Sequence, residues 1–183
     1  MKPALDFKAL LPEVELISDA SLRAQVEAVW QELWQESELD SIDRLAVSPE
    51  IPYPHIPHNR AVVEMALAVA ATFERFHGVK VNRDVLVAAA LLQDASKLVE
   101  YTLVEGKVAY SARGSEFPHA FWAAHVALEH GVPNEICHII LSHTPQAAAF
   151  PRSLEGKILY YVDQLDILAI HGDRWKKQLV ITK

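Results

Sequence analysis

Arg83-Asp84-Val85-Leu86-Val87-Ala88-Ala89-Ala90-Leu91-Leu92-Gln93-Asp94 is the stretch on which the fold turns. Asn82, just before it, is a good helix N-cap. From Val85 to Leu92 no polar residue interrupts the run. A helix that is apolar almost all round must be surrounded by other elements, so a central, buried helix is predicted from Arg83 to about Gln93. The run is too short to span a bilayer. Asp94, which follows it, would be expensive to bury unpaired.

Outward from this helix the chain reads as further helices. Residues 1–18 form an arm, extended or briefly helical, with Pro3 and Pro12 as breakers. Ser18 and Asp19 can cap a helix of about Ala20 to Glu38, whose apolar stripe is Leu22, Val26, Val29, Trp30, Leu33 and Trp34. The stripe reads as core; the Trp30/Trp34 helix could also pack on a partner, so an oligomer is allowed. Ser48 to Pro57 holds four prolines and is predicted to be non-helical, a stiff linker or a loop over a site. A helix from His58 to about His77 follows, closed by Gly78. Residues 101–110 read as a small hairpin or irregular loop. Pro118 opens a helix to His130, Pro133 another to about Ser142, and Ser153 a last one to about Ile170, ending at His171-Gly172. The fold class expected is all-α, with five or six main helices. The divisions expected are 1–50 (arm and helix packing on the core), 51–175 (the main domain) and 176–183 (a C-terminal tail).

The totals exclude several classes. The 183 residues are 51% hydrophobic and 22% charged, enough apolar material for a real core. Net charge is −7, and the longest basic cluster is Lys176-Lys177, so no nucleic-acid footprint and no affinity for anionic membranes is expected. Cys137 is the single cysteine and reads as a small buried hydrophobe in a reducing compartment. The opening segment lacks the basic-then-apolar pattern of a signal peptide. A cytoplasmic, soluble protein is expected.

The chemistry lies in dispersed metal-ligand residues: His58, Asp94, His119, His143 and Asp163. Imidazole and carboxylate are ligands for borderline or hard divalent cations. Asp163, within Ile158 to Leu165, poses the same burial problem as Asp94. Two carboxylates brought together in apolar helices repel unless a positive ion sits between them. The other histidines read blandly: His77, His130 and His171 end helices, where they suit the dipole, and His125 and His138 read as structural. Tyr53, Phe117, Trp122 and Phe150 are candidate pocket walls.

His58 with Arg60 and Val62, Leu91-Leu92-Gln93-Asp94-Ala95-Ser96-Lys97, His119, His143-Thr144 and Tyr161-Val162-Asp163 together resemble the HD-domain superfamily of metal-dependent phosphohydrolases, over about residues 56–170. The family pattern is a His, an adjacent His-Asp pair, two further His in dinuclear members and a distal Asp. This chain departs from it at Gln93, which stands in place of the His of the pair. The stretch from His119 to Asp163 looks like that of bacterial HD hydrolases of symmetric dinucleoside tetraphosphates.

The resemblance implies an HD-type helical bundle holding one or two ions of Fe, Mn, Co, Zn or Mg. A first ion would be held by His58, Asp94 and Asp163, with Gln93 at the position of the missing ligand. Asp94 would bridge to a second ion held by His119 and His143. Lys97 would pair with a phosphate or with Asp94, and Arg60 is a weaker phosphate candidate. The implied activity is hydrolysis of a small phosphorylated molecule, nucleotides included, by metal-activated water. Two alternatives stay open: a di-iron HD-type oxygenase, and a repurposed domain with a weakened metal site that only binds ligand. For Gln93 itself three outcomes are open: it donates its amide oxygen, His55 stands in for the absent imidazole, or the first site is weakened.

Overall fold

A computed structural model describes residues 2–171; Gly172, Lys176-Lys177 and the tail expected over 176–183 lie outside the described residues. The architecture is a mostly helical bundle with two small two-stranded sheets. In chain order the elements are α1 (Phe7–Leu10), a 3-10 turn (Pro12–Leu16), α2 (Ala20–Glu36), β1 (Ala46–Ser48), β2 (Ile51–Pro54), α3 (His55–His77), α4 (Arg83–Leu92), α5 (Lys97–Glu100), β3 (Tyr101–Val104), β4 (Lys107–Tyr110), α6 (Ala112–Glu116), α7 (His119–Glu129), α8 (Asn134–Ser142) and α9 (Leu154–Ile170). Six of these helices, α2, α3, α4, α7, α8 and α9, run nine residues or more. No described helix is long and apolar enough to cross a membrane.

The all-round apolar helix is the hub. α4 touches α2, α3, α8 and α9, and every residue from Val85 to Leu92 is buried. The Asn82 side chain accepts from the Val85 N–H at 3.2 Å, and the Asn82 N–H donates to Glu155 Oε1 at 2.8 Å, so the start of α9 is tied to the start of α4. At the other end of α4 two carbonyls lack intrahelical partners, as helix ends require. Asn59 Nδ2 donates to the Ala90 carbonyl at 3.1 Å, and Trp30 Nε1 donates to the Leu91 carbonyl at 2.9 Å. Side chains of α3 and α2 thereby fix the segment that delivers Gln93 and Asp94.

Two expectations are corrected. The proline-rich stretch is not a linker: β1 and β2 pair antiparallel, Ser48 and Glu50 at their turn line a cavity, and α3 begins at His55, three residues earlier than expected. Pro57 falls in the first helical turn, where its missing N–H has no intrahelical acceptor to disappoint. The Trp30/Trp34 face is not open to a partner. Trp30 is fully buried, and Trp34 Nε1 donates to the Pro3 carbonyl at 3.0 Å. One hydrophobic cluster runs from Leu11 to Val162.

The hairpin near 101–110 is present as β3 and β4, joined by Glu105-Gly106, both with positive φ (51° and 75°). That is the two-residue turn whose twist matches paired strands.

Cys137 on α8 is 3% exposed, and burial pushes its thiol up to about 11. Thiolate is the reactive form, and at pH 8 only about one thiol in a thousand would be ionised. Labelling of the folded chain by a thiol reagent should therefore be negligible at pH 8 and complete in denaturant. Fast labelling of the folded chain would show that α8 opens.

Candidate metal centre

The carboxylate of Asp94 lies just past the end of α4, 3% exposed, and faces two groups of side chains at once. On one side Oδ1 stands 3.2 Å from His119 Nε2, at the start of α7, and 3.5 Å from His143 Nε2, at the end of α8. The two Nε2 atoms are 3.3 Å apart. On the other side Oδ2 stands 3.6 Å from His58 Nε2 and 3.5 Å from His55 Nε2, both in the first turn of α3. His58 Nε2 is also 3.3 Å from Oδ1 of Asp163 on α9. Two donors about 2.1 Å from one ion, near the tetrahedral angle, stand about 3.4 Å from each other. His58/Asp94/Asp163 and Asp94/His119/His143 are accordingly two groups that could each hold a metal ion.

The backs of His58 and His143 are hydrogen-bonded, and that of His119 faces a carboxylate. His58 Nδ1 is 2.6 Å from Asp166 Oδ2, and His143 Nδ1 is 2.6 Å from the Ile140 carbonyl oxygen. His119 Nδ1 lies 3.6 Å from Glu100 Oε1. Such partners fix ring orientation and tautomer at metal sites. A carbonyl can only accept, so His143 carries a proton on Nδ1, which leaves Nε2, facing Asp94 and His119, as the nitrogen that could bind a metal ion.

Several unpartnered atoms converge on the same place. Among the described residues, Asp94 Oδ1, Gln93 Oε1, His58 Nε2 and both ring nitrogens of His55 are buried with no hydrogen-bond partner. Buried polar atoms left so cost about 1–3 kcal/mol each. Their convergence on one carboxylate fits a site built to hold a cation.

The electrostatics point the same way. Burial would raise Asp94, but Lys97, His119, His143 and His55 together hold it well below the usual carboxylate range. Burial would lower His119, but the carboxylates of Asp94 and Glu100 push it up to about 9. His58 is likewise depressed by burial and then raised well above its ordinary value by Asp163, Asp166 and Asp94. The carboxylates of the site thus favour positive charge at His58 and His119. His55 differs: burial dominates and lowers it to about 4.

A cavity of about 220 Å³ opens over this cluster and is lined by His58, Asp94, Lys97, His119, His143 and Asp163. Lys97 is not a solvated end residue. It is buried, and its Nζ donates to Asp94 Oδ2 at 2.8 Å. Gln93 is fully buried beside the first group, with its Nε2 donating to Asp163 Oδ1 at 3.3 Å.

Arg60 is a correction. Its Nε donates to Glu13 Oε1 at 2.8 Å, tying α3 to the N-terminal turn, and it does not line the cavity. One helical residue beyond Asn59 its side chain is carried to the outer face of α3. The expected aromatic walls are corrected too: none of Tyr53, Phe117, Trp122 and Phe150 lines the cavity, whereas Tyr101 and Tyr110 do. Phe117 and Trp122 instead pack on each other and with Phe121, because the residues after Pro118 turn that face of α7 outward. His125 stacks on Phe121, and His130 pairs with Glu32 at 2.8 Å.

Sequence reading missed Asp166 and Glu100. Asp166 carried a legible sign, since a second acid three residues after Asp163 falls on the same helical face. Glu100 carried none; it reaches His119 through the fold around α6, where Gly114 lies so close to the Glu100 backbone that an added Cβ would sit 2.8 Å from its Cγ and closer still to its carbonyl oxygen.

Fold and site together define a mostly helical protein with a candidate divalent-metal centre. The chain is similar to a dihydroneopterin 2',3'-cyclic phosphate phosphodiesterase from Methanocaldococcus jannaschii, at 31% identity over 112 residues. The match covers 61% of this chain and 45% of that protein, so this chain spans less than half the relative's length. No family model matches the chain. No solved structure matches it either.

Proposed function

We propose that the chain is a metal-dependent phosphohydrolase of the HD type that cleaves a phosphoester in a small phosphorylated molecule, a cyclic phosphodiester being the first substrate class to try. The observation that carries this is the Asp94 carboxylate, with one oxygen toward the His119/His143 pair and the other toward the His58 side. A carboxylate so placed can bridge two ions. The relative's printed activity supports the choice of substrate class.

His58, Asp94 and Asp163 would hold one ion and Asp94, His119 and His143 the other. Divalent ions supply Lewis acidity there, polarising phosphoryl oxygens and acidifying water. The chain's own residues do the rest. Lys97 brings positive charge to the cavity wall and can turn from Asp94 to a phosphoryl oxygen. The buried Asp163 and Asp94 keep the first group anionic, so that a cation is preferred there to a second anion. The cavity takes the phosphoryl end, leaving the remainder of the substrate at the mouth beside Tyr110 and Glu50.

The test is hydrolysis of pterin and nucleoside 2',3'-cyclic phosphates, with a panel of phosphomonoesters and dinucleoside polyphosphates, in added Mn²⁺, Fe²⁺ or Co²⁺. Activity that requires the ion and stops with chelator is expected. Inactivity across the panel, in protein that contains metal, would sink the proposal.

Asp166 serves in this proposal as a positioning residue for His58. Asp166→Asn should weaken metal binding about 10- to 100-fold while leaving the fold intact. Titration with metal, read beside an unchanged thermal transition of the chelated protein, checks it; unchanged affinity would remove Asp166 from the site.

A further inference from the structure

The cavity over the candidate metal centre is lined by two sets of charges. One set belongs to the two groups that could hold metal ions and to Lys97, whose Nζ donates to Asp94 Oδ2 at 2.8 Å. Outside that set, the charged side chains that line the cavity among the described residues are both acids, Glu50 and Glu100. The rest of the lining is uncharged.

The two acids come from different elements. Glu50 is exposed in the turn between β1 and β2, where the Ile51 N–H donates to Ser48 Oγ at 3.1 Å. Glu100 is buried at the end of α5, with Oε1 3.6 Å from His119 Nδ1 and Oε2 without a hydrogen-bond partner. The β1–β2 hairpin is tied to β3 where the Tyr101 hydroxyl donates to the Val47 carbonyl at 3.4 Å. A buried carboxylate keeps more of its field than an exposed one, because its surroundings screen it less than water does.

Charge decides what such a cavity can take. Four carboxylates and one ammonium line it, so two divalent ions on neutral imidazoles would leave an excess of one positive charge. The single negative charge of a phosphodiester cancels that excess. A further phosphate or carboxylate on the same molecule would meet Glu50 and Glu100 with no described cation to offset it. We propose that the substrate carries a single phosphoryl group on a neutral or cationic remainder, and that Glu50 and Glu100 select it by repelling further negative charge. This rests on the metal-dependent reading above and narrows it: polyphosphates are disfavoured, and remainders with hydroxyl or amino donors, which carboxylates can accept from, are preferred.

The probes are propylphosphonate, 3-aminopropylphosphonate and 3-phosphonopropionate, which share one head and differ in the charge of the tail. Their P–C bond is not an ester, so hydrolysis does not consume them. Calorimetry on the full chain saturated with Mn²⁺ reads their dissociation constants. The ammonium tail should bind about tenfold or more tighter than the carboxylate tail, with the neutral tail between them. Added salt should shrink that ratio, since Glu50 faces solvent. Glu50→Lys, at an exposed turn position, should bring the ratio to about one or invert it, and Glu100→Gln at saturating Mn²⁺ should reduce it. A ratio among tails is unaffected by any loss of metal affinity that Glu100→Gln causes through His119. A carboxylate tail that binds wild-type chain as tightly as the ammonium tail overturns the proposal, and so does a ratio unmoved by Glu50→Lys or by Glu100→Gln. Binding of all three without discrimination leaves the phosphohydrolase reading standing and removes only the selection. Chain that takes up no Mn²⁺, or that binds none of the three when loaded, removes both.

Discussion

Asp94→Asn is expected to empty both groups and reduce ion-dependent hydrolysis to background. The change is isosteric, so its effect is electrical. Asp94 is the common member of the two groups that could hold a metal ion, and the side chain is 3% exposed. An amide keeps one neutral oxygen in place of two anionic ones, and neutral amides are poor ligands beside carboxylates for divalent cations. Lys97, buried against Asp94 Oδ2 at 2.8 Å, would lose its counter-charge. Removing one partner of a buried pair costs about 3–5 kcal/mol. Relief of repulsion with Asp163 recovers part of this, so a loss of about 2–3 kcal/mol is expected in chelated protein. Elemental analysis and urea unfolding measure the two effects separately. Retention of two ions by Asp94→Asn would remove the bridging carboxylate from the proposal.

The second large effect is on the fold. Trp30→Ala removes a fully buried indole from between α2 and α4 and leaves the Leu91 carbonyl only the long bond from Asn59 Nδ2 at 3.5 Å. Large-to-small changes of this kind cost about 3–5 kcal/mol, and the lost hydrogen bond adds about 1 kcal/mol. For a chain of this size the thermal midpoint should fall by about 10 °C. The site should feel it as well, because Trp30 packs on His55 and bonds the carbonyl two residues before Gln93. Trp30→Phe keeps most of the volume and should fall between wild type and Trp30→Ala. A small effect of Trp30→Ala would mean that α4 is held by α3, α8 and α9 alone.

What could be read without coordinates followed from strictly local causes. Uninterrupted apolar residues from Val85 to Leu92 leave no polar face, so α4 had to be central. Asn82, Ser153 and Gly78 end helices through their own side chains or left-handed backbone, and each does so here. The proline-rich stretch misled because proline's veto on helix lapses in the first turn, a matter of where the turn begins. Arg60 misled for a different reason: helical spacing says which residues share a face but not what that face meets.

The chain by itself determined that Asp94 and Asp163 are buried acids on helices that must pack together, since apolar flanks dictate burial whatever the topology. Only the tertiary structure decided that Asp94 turns one oxygen to each of two histidine groups and that Asp166 and Glu100 stand behind His58 and His119. The reason is geometric. Ligand-range separations of about 3.4 Å are set by where five helices end relative to one another, and no spacing along the chain encodes that distance.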